Sequence, residues 1–139
     1  KRYSYELKKK QASYGEIQQA KVWTEWAEKM AGLAKANRII PEINTELAVF
    51  SIGGIDFVSF PGEFFHEFGL KIKKIRTPRK VFIIGYCNDN IGYVAPSSVY
   101  EEGGYEVEDS YRYYGLPSRL VKDAGLQVVQ LLERILQGC

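Results

Sequence analysis

The sequence predicts an α/β fold: a mixed, partly antiparallel sheet containing a β-hairpin and packed by amphipathic helices. Three observations carry this. Apolar residues recur at helical spacing over 13–37 and again after Pro117. Two β-rich runs flank Gly53-Gly54, and a third, Lys80 to Tyr86, follows another helical stretch. Helix, hairpin, helix, strand, strand and helix in one chain of 139 residues point to mixed layers around one core.

In the first helix, Ile17, Ala20, Trp23, Ala27, Met30 and Ala34 share a face. Ser13 and Glu16 have the spacing of a capping box, and Pro41 blocks any continuation. Trp23 and Trp26 read as core and rim of that face. Residues 1–44 form a helical segment without a motif of its own, within a single domain over 1–139. Strands over 46–52 and 55–60 then make a hairpin, because two glycines supply the positive φ that a tight turn needs. Pro61-Gly62 opens a helix from 63 to about 74, with Phe64, Phe68 and Ile72 on one face.

The following stretch, KIKKIRTPRK, carries six basic residues in ten and reads as a solvated helix end more readily than as an anion site, since no aromatic residue is interleaved. KVFIIGY is apolar enough to be a strand buried on both faces. CNDN is a turn, and IGYVAP is a short extended piece. A short helix begins near Ser97 and irregular chain follows it. After Pro117 an amphipathic helix of about five turns aligns Leu120, Val121, Ala124, Val128, Leu131, Leu132 and Ile135.

The composition, 45% hydrophobic and 26% charged with a net charge of +2, is ordinary for a globular chain and does not argue for nucleic acid. Cys87 and Cys139 make neither a disulfide framework nor a metal-type pair. No apolar run of about 18 residues exists, and no signal-like segment opens the chain. The first residue is Lys1, so KRYSYELKKKQ reads as the start of a processed product or a fragment.

Few residues can carry chemistry. His66 is the only histidine, so a zinc site, a Ser-His-Asp triad or a Cys-His pair is hard to assemble here, each resting on a single imidazole with no independent support. Glu63-x-x-His66 has the spacing of a di-iron ligand pair, but no second pair exists. Glu63 and the tyrosines Tyr86, Tyr93, Tyr100 and Tyr105 remain. An acid in a first helical turn is favourable in itself; the same dipole would keep the carboxylate ionised for a metal. The residues alone leave both readings open.

IGGIDFVSFPGEFFHEFGLKIKK, followed by VFIIGYCNDNIGYVAPSSVYEEGGYE, resembles the later part of the catalytic domain of neutral/alkaline ceramidases and their bacterial relatives. The shared order is a strand ending in Pro-Gly-Glu, a helix, a strand ending in Gly-x-x-Asn, then Gly-Tyr-Val, and Tyr-Glu further on. It runs from about Thr45 to Gly115 and on through the last helix.

The resemblance implies the C-terminal portion of a larger catalytic domain: a zinc-dependent amidase that hydrolyses the N-acyl bond of ceramide or a related lipid amide. Glu63 and Tyr93 would be two of four zinc ligands, and Tyr105 would stabilise the oxyanion. Two histidine ligands would come from upstream sequence. Zinc would favour the phenolate of Tyr93 and activate the attacking water. The implied partners are a ceramide-like substrate, the rest of the catalytic domain and, transiently, a membrane surface, with no nucleic acid. Members are commonly secreted or periplasmic.

This chain departs from the better-known ceramidases between Ala95 and Gly104, where their Thr-x-x-Glu-Tyr-x-x-Gln-x pattern is replaced. A substrate other than ceramide, or a non-catalytic binding module on the same fold, is the alternative.

Overall fold

The computed structural model describes residues 12–40 and 42–137. The opening KRYSYELKKKQ, Pro41 and Cys139 lie outside the described residues. The chain divides into two compact units, one comprising the first helix with Arg112–Ser118, the other Ile43–Tyr111 with the residues from Arg119 onward.

In the first unit, α1 (Tyr14–Lys35) starts with the expected capping box: Glu16 N–H donates to Ser13 Oγ at 3.3 Å, and Ser13 N–H donates to the Glu16 carboxylate at 2.8 Å. The Ser13 hydrogen bonds hold the Glu16 carboxyl below its ordinary pKa. The other end is closed by backbone bonds of its own. Asn37 takes a left-handed φ of 52°, its N–H reaches Ala34 O at 3.0 Å, and the Arg38 N–H reaches Leu33 O at 2.8 Å. That is a Schellman closure with asparagine in the glycine position.

Of the expected apolar face, Ala20 and Met30 are buried. Trp26 Nε1 donates to Leu116 O at 2.7 Å, and the Arg112 guanidinium lies 4.8 Å from the Trp23 ring and 5.4 Å from the Trp26 ring. The tryptophans therefore clamp a cation of their own chain.

The second unit holds β1 (Val49–Ile52), β2 (Ile55–Ser59), β3 (Glu63–Phe64), α2 (His66–Ile75), β4 (Lys80–Ile84) and β5 (Tyr93–Val94). The short helical turns α3 (Val99–Glu102), α4 (Tyr105–Glu108) and α5 (Ser110–Tyr113, whose last two residues belong to the first unit) follow, then α6 (Ala124–Gln137). The fold is α/β with a mixed sheet, as the pattern predicts. β1 and β2 form the antiparallel hairpin, with Gly53 at φ 56° and Gly54 at φ 80°, and β4 pairs with β2 in parallel. β3 and β5 form a separate parallel pair.

Four expectations are corrected. β4 is an edge strand in the order β1-β2-β4, and Phe82 is 54% exposed, so the strand is not buried on both faces. Its apolar residues instead extend a row of stacked rings, Phe50 on Phe57 at 5.0 Å and Phe57 on Phe82 at 5.5 Å. The helix expected from 63 begins at His66, because Glu63 and Phe64 are hydrogen-bonded to β5 instead.

The segment after Ser98 is three helical turns, not one turn followed by irregular chain. The last helix begins at Ala124, and its buried face is Gly125, Val129, Leu132 and Leu136, leaving Val121, Leu131 and Ile135 exposed. The shift follows from the close approach of Phe68: a Cβ at Gly125 would stand 2.1 Å from Phe68 Cζ, so the ring seats on the glycine and fixes which face turns inward.

The core of this unit is Val58, Phe60, Phe68, Ile72, Val81, Val94, Val129, Leu132 and Leu136. Among the described residues one charged side chain is buried, and it lies on the sheet. Asp56, on β2, is fully buried and accepts from Arg76 Nε at 2.6 Å, from the Arg79 guanidinium at 2.7 Å and from Ser51 Oγ at 2.5 Å. Arg76 also donates to Leu136 O at 2.8 Å, which ties α2 and α6 to the sheet. Among the described residues no helix is long and apolar enough to cross a membrane.

Candidate functional site

Two chain corners build the site. β2 runs out through Phe60 and the buried Pro61-Gly62 into β3, while β4 ends at Ile84 and turns through Gly85-Tyr86. Phe60 N–H donates to Ile84 O at 2.7 Å, Cys87 N–H to Phe60 O at 3.0 Å and Tyr86 N–H to Gly62 O at 3.3 Å. These bonds hold the two corners side by side. Beyond them Ile91 N–H donates to Pro61 O, Glu63 N–H to Gly92 O and Phe65 N–H to Val94 O, all at 2.9–3.1 Å, forming the ladder of the β3–β5 pair.

Gly62 is required at this crossing. A Cβ there would lie 2.7 Å from Gly92 O and 3.1 Å from Ile91 Cγ1. Backbone cannot yield as a side chain does, so Gly62→Ala is expected to force β3 from β5 and destabilise the protein by about 1–3 kcal/mol. Thermal unfolding checks this; an unchanged midpoint would show that the corner relaxes freely.

In this ladder Glu63 is the register partner of Tyr93. Paired positions on neighbouring strands lie about 4.8 Å apart and carry their side chains on the same face. Both residues are half-buried, and both line a cleft of about 250 Å³ with Phe60, Phe64, Ile83 and Tyr86. Tyr105, the first residue of α4, packs its ring edge-on against Tyr93 with centroids 5.9 Å apart. The structure thus brings Glu63, Tyr93 and Tyr105 together.

The remaining tyrosines separate. The Tyr100 hydroxyl donates to Leu120 O at 3.0 Å, and burial pushes its pKa up, so it serves the packing around Leu120. Tyr86 lines the same cleft as Glu63, and hydrogen bonding to that carboxylate pushes the phenol's pKa up. No signal in the sequence distinguished Tyr86 from its neighbours, since its place in the cleft depends on how the chain turns after β4.

Glu63 is in a strand, so the helix-dipole account of its charge does not hold. His66 starts α2 with its side chain 80% exposed, 3.2 Å from the Glu67 carboxylate. Its spacing from Glu63 does not fall on one helical face. The basic stretch over 71–80 is also reduced as an anion site, because Arg76 and Arg79 are engaged by Asp56.

Zinc accepts carboxylate oxygen, and a bound cation stabilises a phenolate, so the donor chemistry of Glu63 and Tyr93 fits the metal. The fit is partial: among the described residues no cluster of three or more His, Cys, Asp or Glu could hold an ion. The pair could fill half of a four-coordinate shell. Comparison with protein-family models, curated proteins and solved structures found no significant match to this chain.

Proposed function

We propose that the chain is the C-terminal portion of a zinc-dependent amidase resembling neutral ceramidase, acting on the N-acyl bond of a ceramide or related lipid amide. The observation that carries this reading is the in-register pairing of Glu63 with Tyr93, the two positions to which the resemblance gives the metal. The Tyr105 ring against Tyr93 supports it.

Glu63 and Tyr93 would hold the ion with two histidines contributed from outside these residues. Zinc, when bound, supplies a Lewis acid for the amide carbonyl and lowers the pKa of the attacking water. The chain's own contribution is then positional. Glu63 presents a carboxylate held by the Pro61-Gly62 corner, and Tyr93 presents its oxygen from the adjacent strand. Tyr105 donates to the amide oxygen as negative charge gathers on it, an interaction stronger in the transition state than in the bound substrate. The apolar cleft wall of Phe60, Phe64 and Ile83 suits a substrate with hydrocarbon next to its amide.

The full-length gene product should contain zinc at one ion per chain and release fatty acid from an N-acyl sphingoid substrate. Chelation should abolish the release, and zinc should restore it. The isolated 139 residues should do neither, since two ligands rarely hold the ion against water. Chelator-resistant hydrolysis would discard this mechanism, and a metal-free, inert full-length protein would favour a binding module on the same fold.

A further inference from the structure

We infer that a second apolar groove, continuous with the cleft at Glu63 and Tyr93, is a subsite for a linear hydrocarbon chain of the substrate, with Leu70 as its specificity-determining edge. The inference rests on the lipid-amide reading above and extends it to a part of the molecule to which the resemblance gives no role.

The groove has a volume of about 270 Å³ and is lined by one face of α2, by Ile83 of β4 and by Phe60, Phe64 and Phe65. Ile83 and the three phenylalanines line the cleft as well. All four are apolar, so the passage from cleft to groove meets no polar side chain. Neither cavity alone reaches the volume of about 300 Å³ at which small-molecule sites begin, whereas the two adjoining volumes together exceed it.

The sequence builds the groove from helical spacing. His66, Leu70 and Lys73 stand at i, i+4 and i+7 on α2 and so lie one above another. Gly69 lies beside them against β4, where a Cβ would stand 3.3 Å from Ile83 Cγ1. A larger residue there would press on Ile83 and narrow the groove. The facing wall is anchored in the core: Phe60 stacks on Phe64 with centroids 4.2 Å apart, and Phe64 meets the buried Phe68 edge-on at 6.0 Å. A wall held in this way needs no ordering when a ligand arrives.

Polarity is graded along the two cavities. The cleft holds a carboxylate and phenols, the groove offers Phe65, Gly69 and Leu70, and His66 and Lys73 stand exposed at its edge. Lys73 can lay its stem along apolar surface while its ammonium stays in water. An amide carrying a hydrocarbon tail has the same order of polar and apolar parts. Leu70 is 58% exposed, and a chain lying in the groove would cover it. Each methylene taken from water in this way strengthens binding by up to about fourfold. The acyl chain and the chain of the sphingoid base are both linear hydrocarbon, and chain-length series tell them apart.

The test uses the full-length gene product and two series of N-acyl sphingoid amides, one varying the acyl chain and the other the base. In metal-stripped protein, where no zinc-dependent turnover consumes the probe, equilibrium binding should tighten by about two- to fourfold for each methylene added in one of the series. Leu70→Asp, a change at an exposed position, should remove most of that gain while the thermal midpoint and zinc content stay as in wild type. Leu131→Asp places the same charge on an exposed leucine of α6 that lines neither cavity, and it should keep the wild-type gain.

The series that responds to Leu70→Asp assigns the chain in the groove. Binding indifferent to chain length in both series would overturn the inference, as would a Leu70→Asp profile equal to that of wild type or reproduced by Leu131→Asp. Chain-length selectivity that depends on Leu70, in a protein that takes up no zinc, would overturn the amidase reading and leave the hydrocarbon subsite standing.

Discussion

Asp56→Ala should cost the protein about 3–5 kcal/mol, the loss expected when one partner of a buried ion pair is removed and the other is left uncompensated. Two guanidiniums, from Arg76 and Arg79, and the Ser51 hydroxyl all converge on this one carboxylate. Arg76 in turn reaches Leu136 O, so the hub joins the hairpin to the ends of α2 and α6. A domain of this size has a total stability of about 5–15 kcal/mol, so the loss would be a large share of it.

The pH dependence follows from the same contacts. Hydrogen bonds from Arg79, Arg76 and Ser51, in that order of effect, hold the Asp56 carboxyl far below the usual carboxylate range. A depressed folded-state pKa contributes stability that is complete above the unfolded value of about 3.9 and is lost as pH falls through the folded one. The acid limb should therefore begin near pH 4 and continue downward. Denaturant unfolding followed by circular dichroism from pH 7 to pH 2 would measure it. Asp56→Asn, which keeps the shape, should flatten that limb if the alanine variant fails to fold. A limb of unchanged slope in Asp56→Asn would rule out Asp56 as its source.

Glu63→Gln in the full-length protein should lower zinc-dependent hydrolysis by at least about 100-fold, the upper end of what loss of an outer-shell metal partner costs. The substitution is nearly isosteric, and Glu63 lies half-buried at a corner secured by backbone bonds, so the fold should survive. Zinc content by elemental analysis and fatty-acid release, measured on the same preparation, separate the outcomes. Full activity with full zinc would remove Glu63 from the site, and the amidase reading would lose its central ligand.

Local structure was most legible where a single residue type dictates the backbone. Gly53-Gly54 set the hairpin turn, and Ser13 with Glu16 set the start of α1. The order of elements followed from apolar periodicity. Boundaries failed where a distant partner competed. Pro61-Gly62-Glu63 has the look of a helix start, yet the Glu63 N–H is claimed by Gly92 O and the helix waits until His66. KVFIIGY is apolar throughout, but only the strand order makes β4 an edge.

The candidate site divides in the same way. The family resemblance singled out Glu63, Tyr93 and Tyr105 by their order along the chain. It gave Tyr86 and Tyr100 no role, since a phenol's role depends on what its hydroxyl meets after folding. The Tyr100 hydroxyl meets a carbonyl, whereas Tyr86 lines the cleft with Glu63.

By itself, the chain's order of residue types determined the class of fold, the hairpin and the capped first helix, all of which depend on near neighbours. The tertiary structure alone decided that Glu63 and Tyr93 share a register, that Asp56 gathers two arginines and that Tyr86 lines the same cleft as Glu63. Those are contacts between residues remote in sequence, and they are set by strand pairing and close packing, which no local pattern encodes.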